Sequence, residues 1–576
     1  MIKKIIRYQE TNDGDLNGLH PVLNRVFSSR KITALEEAEL GMERLHPPAR
    51  LGGLDRAVAL IEQVMAESGR ILVIGDFDAD GATSCALAIR ALRAMGVDNV
   101  GYLVPNRFEY GYGLTPEIVQ DALARQPDLI ITVDNGISSH DGVAAAKTAG
   151  VKVLVTDHHL PGAELPAADA IVNPNCSGDD FPSKNLAGVG VVFYLLAALR
   201  TRLSKSGWFQ DRVITVPNLA AFLDLVALGS VADVVPLDQN NRILIHHGLQ
   251  RIRAGKCCMG IQALLDVAGK NRGSCIASDM GFSIGPRLNA AGRLDDMALG
   301  IECLLADDYQ TARDIAQTLD SLNRQRREIE AGMQQQALEA LESITLGDNA
   351  PVGICIYQPD WHQGIIGILA ARIKERFHRP VIAFAQAEEE GVLKGSARSI
   401  PGLHMRDTLD EVATANPGLI LKFGGHAGAA GLSIRTDDLS SFSSAFDEHV
   451  RMRLDDAALQ GVILSDGPLE PNQLTLELAT LLREASPWGQ GFPEPLFDGK
   501  FVVISHRVVG EKHLKMVLRP EQGKNTIDAI AFNQAEATTL DRDAVIEAAY
   551  RLDVNEYMGR RSAQLIVEQF ETVIPA

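Results

Sequence analysis

Short runs of aliphatic residues alternate with helical patterns between about residues 70 and 240. "RILVIGD", "DLIITVDNG" and "VKVLVTDHH" are such runs, each bounded by acids or glycine. A strand covered on both faces reads as a continuous apolar run, and such runs separated by helices predict βαβ units around a parallel sheet. From Asp307 to about Ser343 charged and Gln-rich positions surround apolar ones at helical spacing. Only Gly332 interrupts that pattern, which predicts one long helix. A second α/β region follows, with strand signals in "VGICIY" and "RPVIAFA" and an end near Asp455. After about Gly461 five strand-like segments crowd into about seventy residues: "FVVISHRVV", "HLKMVLRP", "TIDAIAFN", "RLDVNEYM" and "RSAQLIVEQF". Their Gly-, Lys- and Asn-containing turns predict a small β-barrel. The expected order is an extension (1–45), a parallel-sheet α/β domain with a helical insertion (46–306), a connecting helix (307–345), a smaller α/β domain (346–460) and the barrel (461–576).

An OB-fold is one five-stranded solution for the last unit, and a β-rich dimerisation domain shares its periodicity. With 576 residues, 46% of them hydrophobic, the chain can bury several cores and has no fibrous or disordered composition. The longest apolar run, "GVGVVFYLLAAL" (Gly188–Leu199), falls short of the ~20 residues a membrane-spanning helix needs. The start, "MIKKIIRYQE", lacks the apolar core of a signal peptide. Seven cysteines without a C-x-x-C pair suit a reducing cytoplasm better than a disulfide framework or a zinc site. A net charge of −19 is unlike a protein that coats duplex DNA. Any nucleic-acid contact must run through a local basic groove, with the acids segregated or bound to metal.

The acids are placed in a way that asks for a cation. In "ILVIGDFDADGATS" an apolar run ends in Asp76, Asp78 and Asp80, followed by Gly81. The spacing matches half of an EF-hand loop, but the required glutamate six residues after the glycine is Leu87, and a strand precedes the loop instead of a helix. Two further runs end in Asp134 and in Asp157, His158 and His159, and Asp233 follows an apolar run beginning at Leu223. Ligands of open parallel sheets gather at the carboxyl ends of strands, so these side chains are expected to meet. Singly each has an ordinary reading: a turn at Asp134, a helix cap at Asp233, a surface pair at the histidines. Together they offer carboxylates and imidazole without thiolate, a set that suits Mg²⁺ or Mn²⁺, with the imidazole favouring Mn²⁺. The carboxylates outnumber what one ion takes. Two divalent ions about 3.5–4 Å apart would use them, and such pairs hydrolyse phosphate esters.

"GDFDADG", "VDNG", "TDHH" and "GSVADVVPL" resemble, in order, the four motifs of the DHH phosphoesterase superfamily. "KFGGHAGAAGLS" (Lys422–Ser433) is similar to the GGH signature of the companion DHHA1 domain. "GPRLNAAGRL" (Gly285–Leu294) and the β-rich C-terminus narrow the resemblance to the RecJ family, bacterial exonucleases specific for single-stranded DNA. The resemblance implies that Asp76 and Asp78 serve one manganese ion, that Asp80, His158 and Asp233 serve the other, and that Asp134 bridges both. His159 would face the scissile phosphate, and Asp157 would orient the histidines. Phe77 stands where many such sequences carry tyrosine. Ile74 stands where the pyrophosphatase branch has histidine, which argues against that activity.

The implied activity is 5′→3′ hydrolysis of single-stranded DNA to mononucleotides in DNA repair and recombination. The implied partners are single-stranded DNA, a single-strand-binding protein and a recombination helicase, with no membrane and a monomeric state expected. An enzyme that starts at a 5′ end must capture a terminal phosphate. Arg107 in "PNRFEYGYG", Arg287 and Arg293 in "GPRLNAAGR", Ser396 and Arg398 in "GSARS", and His426 in the glycine-rich loop are the candidates. Lys512, Lys515 and Arg519 lie on or beside one barrel strand and are candidates for holding the single strand. The alternatives are a phosphodiesterase for short oligonucleotides or cyclic dinucleotides, whose relatives lack the third domain, and a non-catalytic DNA-binding replication factor, which would have lost ligands.

Overall fold

The computed structural model describes residues 3–9, 16, 18–105, 113–345, 351–535, 540–557 and 559–573. The first sheet holds five parallel strands in the spatial order Val100–Leu103, Ile71–Gly75, Leu129–Val133, Lys152–Thr156, Ala170–Val172. Every residue of Ile71–Gly75 and Leu129–Val133 is buried, as their unbroken apolar runs require. Alternation splits them between two layers. Ile71, Val73, Leu129 and Ile131 face one core with helices Leu54–Ala66, Ala79–Ala94 and Gly188–Lys205. Leu72, Ile74 and Ile130 face the other core with helices Pro116–Leu123 and His140–Thr148. The chain leaves Ile71–Gly75 first toward one edge and then crosses to Leu129–Val133, so the strand order reverses between these two strands. Crevices at such reversals are where open α/β sheets bind ligands.

A helical layer follows, including Leu223–Ala232, Gln239–Arg253, Met259–Val267 and Gly285–Leu294. The connecting helix runs from Tyr309 to Thr345, 37 residues or about 55 Å. It continues through Gly332, where an added Cβ would meet nothing. The second α/β unit is a mixed sheet ordered Lys422–Gly425, Ala429–Arg435, Val392–Arg398, Val381–Gln386, Ile354–Tyr357, in which the last pair alone is parallel. Met333, Ala337 and Leu341 of the connecting helix share a core with its helix Ile366–Phe377.

Strands Phe497–Val509, His513–Pro520, Ile527–Ala531, Arg560–Thr572 and Val545–Tyr557 close into a barrel, with Ile527–Ala531 and Arg560–Thr572 parallel. This is a five-stranded OB-like barrel. Its core is continuous with that of the first domain. Trp488 and Phe492 stack with ring centres 5.1 Å apart, and Phe27 lies 6.0 Å from each. The segment expected as an extension is built into this junction. Lys4–Arg7 pairs in parallel with Val462–Ser465, and Arg7 grips Asp498 through Nε and Nη2. Among the described residues no helix is long and apolar enough to cross a membrane.

Candidate metal centre and the facing cleft

The acids gather at the carboxyl ends of the two strands that flank the reversal. Asp76 follows Ile71–Gly75, and Asp78 caps helix Ala79–Ala94 by accepting the Asp80 and Gly81 N–H groups at 2.9 and 3.0 Å. Asp80, inside the first helical turn, accepts the Gly188 and Val189 N–H groups at 2.6 and 3.0 Å. Asp134 has φ +62°, a left-handed backbone that aims its side chain back over the crevice. His158 Nε2 lies 3.1 Å from Asp134 Oδ1 and 3.5 Å from Asp233 Oδ2. Asp233 sits at the end of the buried helix Leu223–Ala232.

Three sets of potential ligand atoms lie within 4.8 Å of one another: Asp76, Asp78 and Asp134; Asp80, His158 and Asp233; and Asp134, His158 and His159. Burial, then the neighbouring Asp78 charge, pushes Asp80 up to about 7. Burial and the charges of Asp80 and Asp78 drive Asp134 and Asp233 well above the carboxylate range. Burial, then the charge of His159, pulls His158 down to about 4, which leaves a neutral imidazole lone pair. Buried carboxylates that repel one another around a neutral imidazole fit divalent metal ions.

Asp157 does not join these sets. Its Oδ1 accepts the His158 and His159 N–H groups at 2.7 and 3.1 Å and lies 2.7 Å from His159 Nδ1, while Oδ2 accepts Ile137 N–H. Burial opposes ionisation of both partners. The Asp157–His159 hydrogen bond and mutual attraction, with backbone N–H donors to Asp157 and the charges of Asp76 and Asp78 near His159, together outweigh it, lowering Asp157 and raising His159. Two residues without a sequence signal support this loop: Asn173 and Asn175 donate to the His159 and His158 carbonyls at 2.9 and 2.6 Å. Another is Asn289, whose Oδ1 accepts Ala79 N–H at 2.8 Å between two of the acids.

The second domain faces this cluster. Burial, then the charges of Arg398, His404 and His159, lowers the exposed His426 imidazole. Arg398 donates to Ser396 Oγ at 3.1 Å, and both side chains converge on Gly367, where a Cβ would come within 3.0 Å of each. Gly367 lies in the first turn of helix Ile366–Phe377, the positive end of its dipole. Arg293 reaches the same turn by donating to the Gly364 carbonyl at 3.0 Å. The loop "DWHQGIIG" that supplies Gly364 and Gly367 carries no recognisable sequence signal.

Arg287 departs from expectation. It is buried, and its Nε and Nη2 engage Asp320 Oδ1 of the connecting helix at 3.0 and 2.8 Å. Its guanidinium is thus committed to a buried carboxylate, which leaves it less available to a DNA end than the sequence suggests. Arg107 lies outside the described residues. On the barrel Lys515 and Arg519 share the outward face of His513–Pro520, Lys515 pairs with Asp528 at 3.3 Å, and Lys512 precedes that strand in the turn.

Family models match the chain in three places: the DHH family N-terminal domain over residues 70–230, the DHHA1 domain over 349–452 and the RecJ OB domain over 465–569. The single-stranded-DNA-specific exonuclease RecJ of Escherichia coli is 55% identical over 552 residues, covering 96% of each chain. That of Haemophilus influenzae is 51% identical over 99% of this chain and 100% of its own. The crystal structure of RecJ from Thermus thermophilus in complex with Mn²⁺ superposes with a TM-score of 0.78 at 30% identity, covering 97% of this chain and 76% of that one. The same protein has also been crystallised with Mg²⁺. With DHH, DHHA1 and OB domains in this order, and half its residues shared with full-length relatives, the chain belongs to the RecJ family.

Proposed function

We propose that this protein is a metal-dependent exonuclease that degrades single-stranded DNA from its 5′ end, hydrolysing one phosphodiester bond at a time. The observation that carries the reading is the gathering of six candidate ligands, Asp76, Asp78, Asp80, Asp134, His158 and Asp233, at the strand-order reversal. A non-catalytic relative would have no reason to keep so costly a buried charge cluster. Asp76 and Asp78 would hold one divalent ion and Asp80, His158 and Asp233 the other, with Asp134 available to both and Mn²⁺ preferred over Mg²⁺. Bound there, the ions lower the pKa of water and neutralise charge on phosphate oxygens.

The remaining work falls to the chain's own groups. Asp157 orients His159 and favours its protonated form, so that its other nitrogen would donate to a non-bridging oxygen of the scissile phosphate. Arg398, Ser396 and the first turn of Ile366–Phe377 receive the terminal phosphate on the opposite wall, with His426 beside them. A cleft closed on both sides admits one strand and excludes a duplex. The barrel holds the strand that trails behind. The reading places the protein in DNA repair and recombination in the cytoplasm, as a monomer working with a single-strand-binding protein and a helicase. The test is digestion of 5′- and 3′-end-labelled single strands with and without Mn²⁺. Release of the 5′ label as a mononucleotide is expected, together with its loss in Asp134→Asn. Metal-independent release, or full activity in that variant, would overturn the assignment.

A further inference from the structure

A second feature beside the metal cluster has the chemistry of a nucleotide site. Phe282 is 78% exposed, which is unusual for so large an apolar side chain, and it sits on a single π-helical turn, Met280–Ile284. Such turns inside α-helical segments occur disproportionately at functional sites. Phe282 forms the rim of a groove of about 500 Å³ whose wall is completed by Arg293, Arg326, Arg327 and Arg372, with Glu330 the one acid. Glu330 is already engaged by Arg326 and, at 3.1 Å, by Arg372. The groove is therefore strongly cationic in a chain whose net charge is −19.

Its position ties it to the reaction. Asn289 lines the groove and accepts Ala79 N–H between Asp78 and Asp80. On its other side the π-turn rests on the helix end that carries Asp233. A Cβ on Gly281 would lie 3.3 Å from Val231, and one on Gly285 would lie 3.2 Å from Ala232.

We infer that this groove is a nucleotide subsite for the single strand, with a base stacked on Phe282 and its phosphate on Arg327 and Arg293. An exposed aromatic ring beside arginines is the combination that binds single strands without reading sequence. The inference rests on the proposed exonuclease function.

The test is equilibrium binding of an oligothymidylate carrying phosphorothioate linkages at its 5′ end, followed by fluorescence anisotropy with Mn²⁺ present across a series of salt concentrations. Phe282→Ala weakens binding about tenfold, the loss of one stacked base, and Phe282→Tyr retains wild-type affinity. Arg327→Ala lowers the slope of log K against log salt by about 0.7, the signature of one lost phosphate contact on a single strand. Equal melting temperatures verify folding, which an exposed side chain leaves intact. If the wild type binds and the Phe282→Ala and Arg327→Ala proteins match it in affinity and slope, the groove is not a subsite, while the exonuclease reading stands. If the wild type itself neither binds nor degrades single strands, both fall.

Discussion

Gly188→Ala adds one methyl group, and the structure places that methyl 2.6 Å from Asp134 Cβ and 2.9 Å from its Cα and Oδ1. Carbon atoms rest at about 3.5–4.0 Å, so roughly 1 Å must be found. Neither side can give easily. Asp134 is held at φ +62° with its N–H donating to the Thr156 carbonyl at 3.1 Å. Gly188 opens helix Gly188–Lys205, and its N–H and that of Val189 are the donors that fix Asp80. Retreat of the helix frees Asp80, and a shift of Asp134 displaces the carboxylate shared by the ligand sets. Overpacking of this size costs about 1–3 kcal/mol of stability. A 1 Å displacement in a reacting constellation costs on the order of 100-fold in rate. The expected result is a modest fall in melting temperature, kcat/KM on single-stranded DNA down about 100-fold, and weaker Mn²⁺ binding by calorimetry. Gly190→Ala is the control. Its methyl meets the movable Leu186 Cδ2 at 3.0 Å and touches no ligand, so activity within about twofold of wild type is expected. Wild-type turnover and metal affinity in Gly188→Ala would refute the claim that backbone contact at this helix start sets the metal geometry.

Arg398→Ala should reduce the ratio of kcat/KM for 5′-phosphorylated over 5′-hydroxyl DNA while leaving Mn²⁺ affinity unchanged; an unaltered ratio would transfer end recognition to Arg293 or to Arg107. Combined alanine substitution of Lys512, Lys515 and Arg519 should raise KM on long single strands and flatten the salt dependence of binding by about 2 units of slope, three contacts at about 0.7 each. These substitutions are a cleaner test than deletion of the barrel, whose core continues into the first domain. Asp498 is the pH prediction. Burial would raise it, but Arg7 and Ser465 outweigh burial and hold it below its ordinary 3.8. A carboxylate depressed in the folded state contributes stability that is present above the unfolded pKa and lost as pH falls through the folded one. The protection factors of the Lys4–Arg7 amides, taken against the intrinsic exchange rate at each pH, should therefore be high at neutral pH and fall below about pH 4, and Arg7→Ala should remove the protection at neutral pH. Protection unchanged at pH 3 would show that Asp498 does not anchor this strand.

What the sequence made legible was local. Asp76, Asp134 and Asp157 could be read because each ends an apolar run, and the end of a buried strand is recognisable within a few residues. The barrel strands were legible through alternation, visible in the burial of His513–Pro520. What stayed hidden depends on contacts between distant segments. Asn289 meets Ala79 across 210 positions, and Gly188 meets Asp80 across 108. No window of sequence contains either pair. The same distance hides the partner of Arg287, Asp320 on the connecting helix. It also makes residues 1–45 read as an extension, because the partner of Lys4–Arg7 is the strand Val462–Ser465 far along the chain. The edge strands Val100–Leu103 and Ala170–Val172 are four and three residues long, too short for periodicity to register.

The hidden contacts also explain how two domains can share one reaction. The connecting helix is fixed to the first domain where Asp320 meets Arg287, and to the second where Glu330 meets Arg372. Ten residues of helix separate these anchors, about 15 Å of rigid rod. Arg287 belongs to the helix Gly285–Leu294 that also carries Asn289 against the metal loop and Arg293 against the Gly364 turn. At Gly292 that helix runs so close to the Phe77 carbonyl that a Cβ would lie 1.9 Å away. One short helix thus touches the Asp76–Asp80 loop, the connecting helix and the Gly364 turn of the second domain. Flexible tethering would leave the distance between His159 and the Arg398 turn to chance. Here it is set by a helix length, by the buried Arg287–Asp320 pair, which leaves an uncompensated charge if broken, and by the half-exposed Arg372 on Glu330. On the proposed exonuclease function, that rigidity would let a cleft assembled from residues more than 200 positions apart hold a strand at a fixed distance from its end.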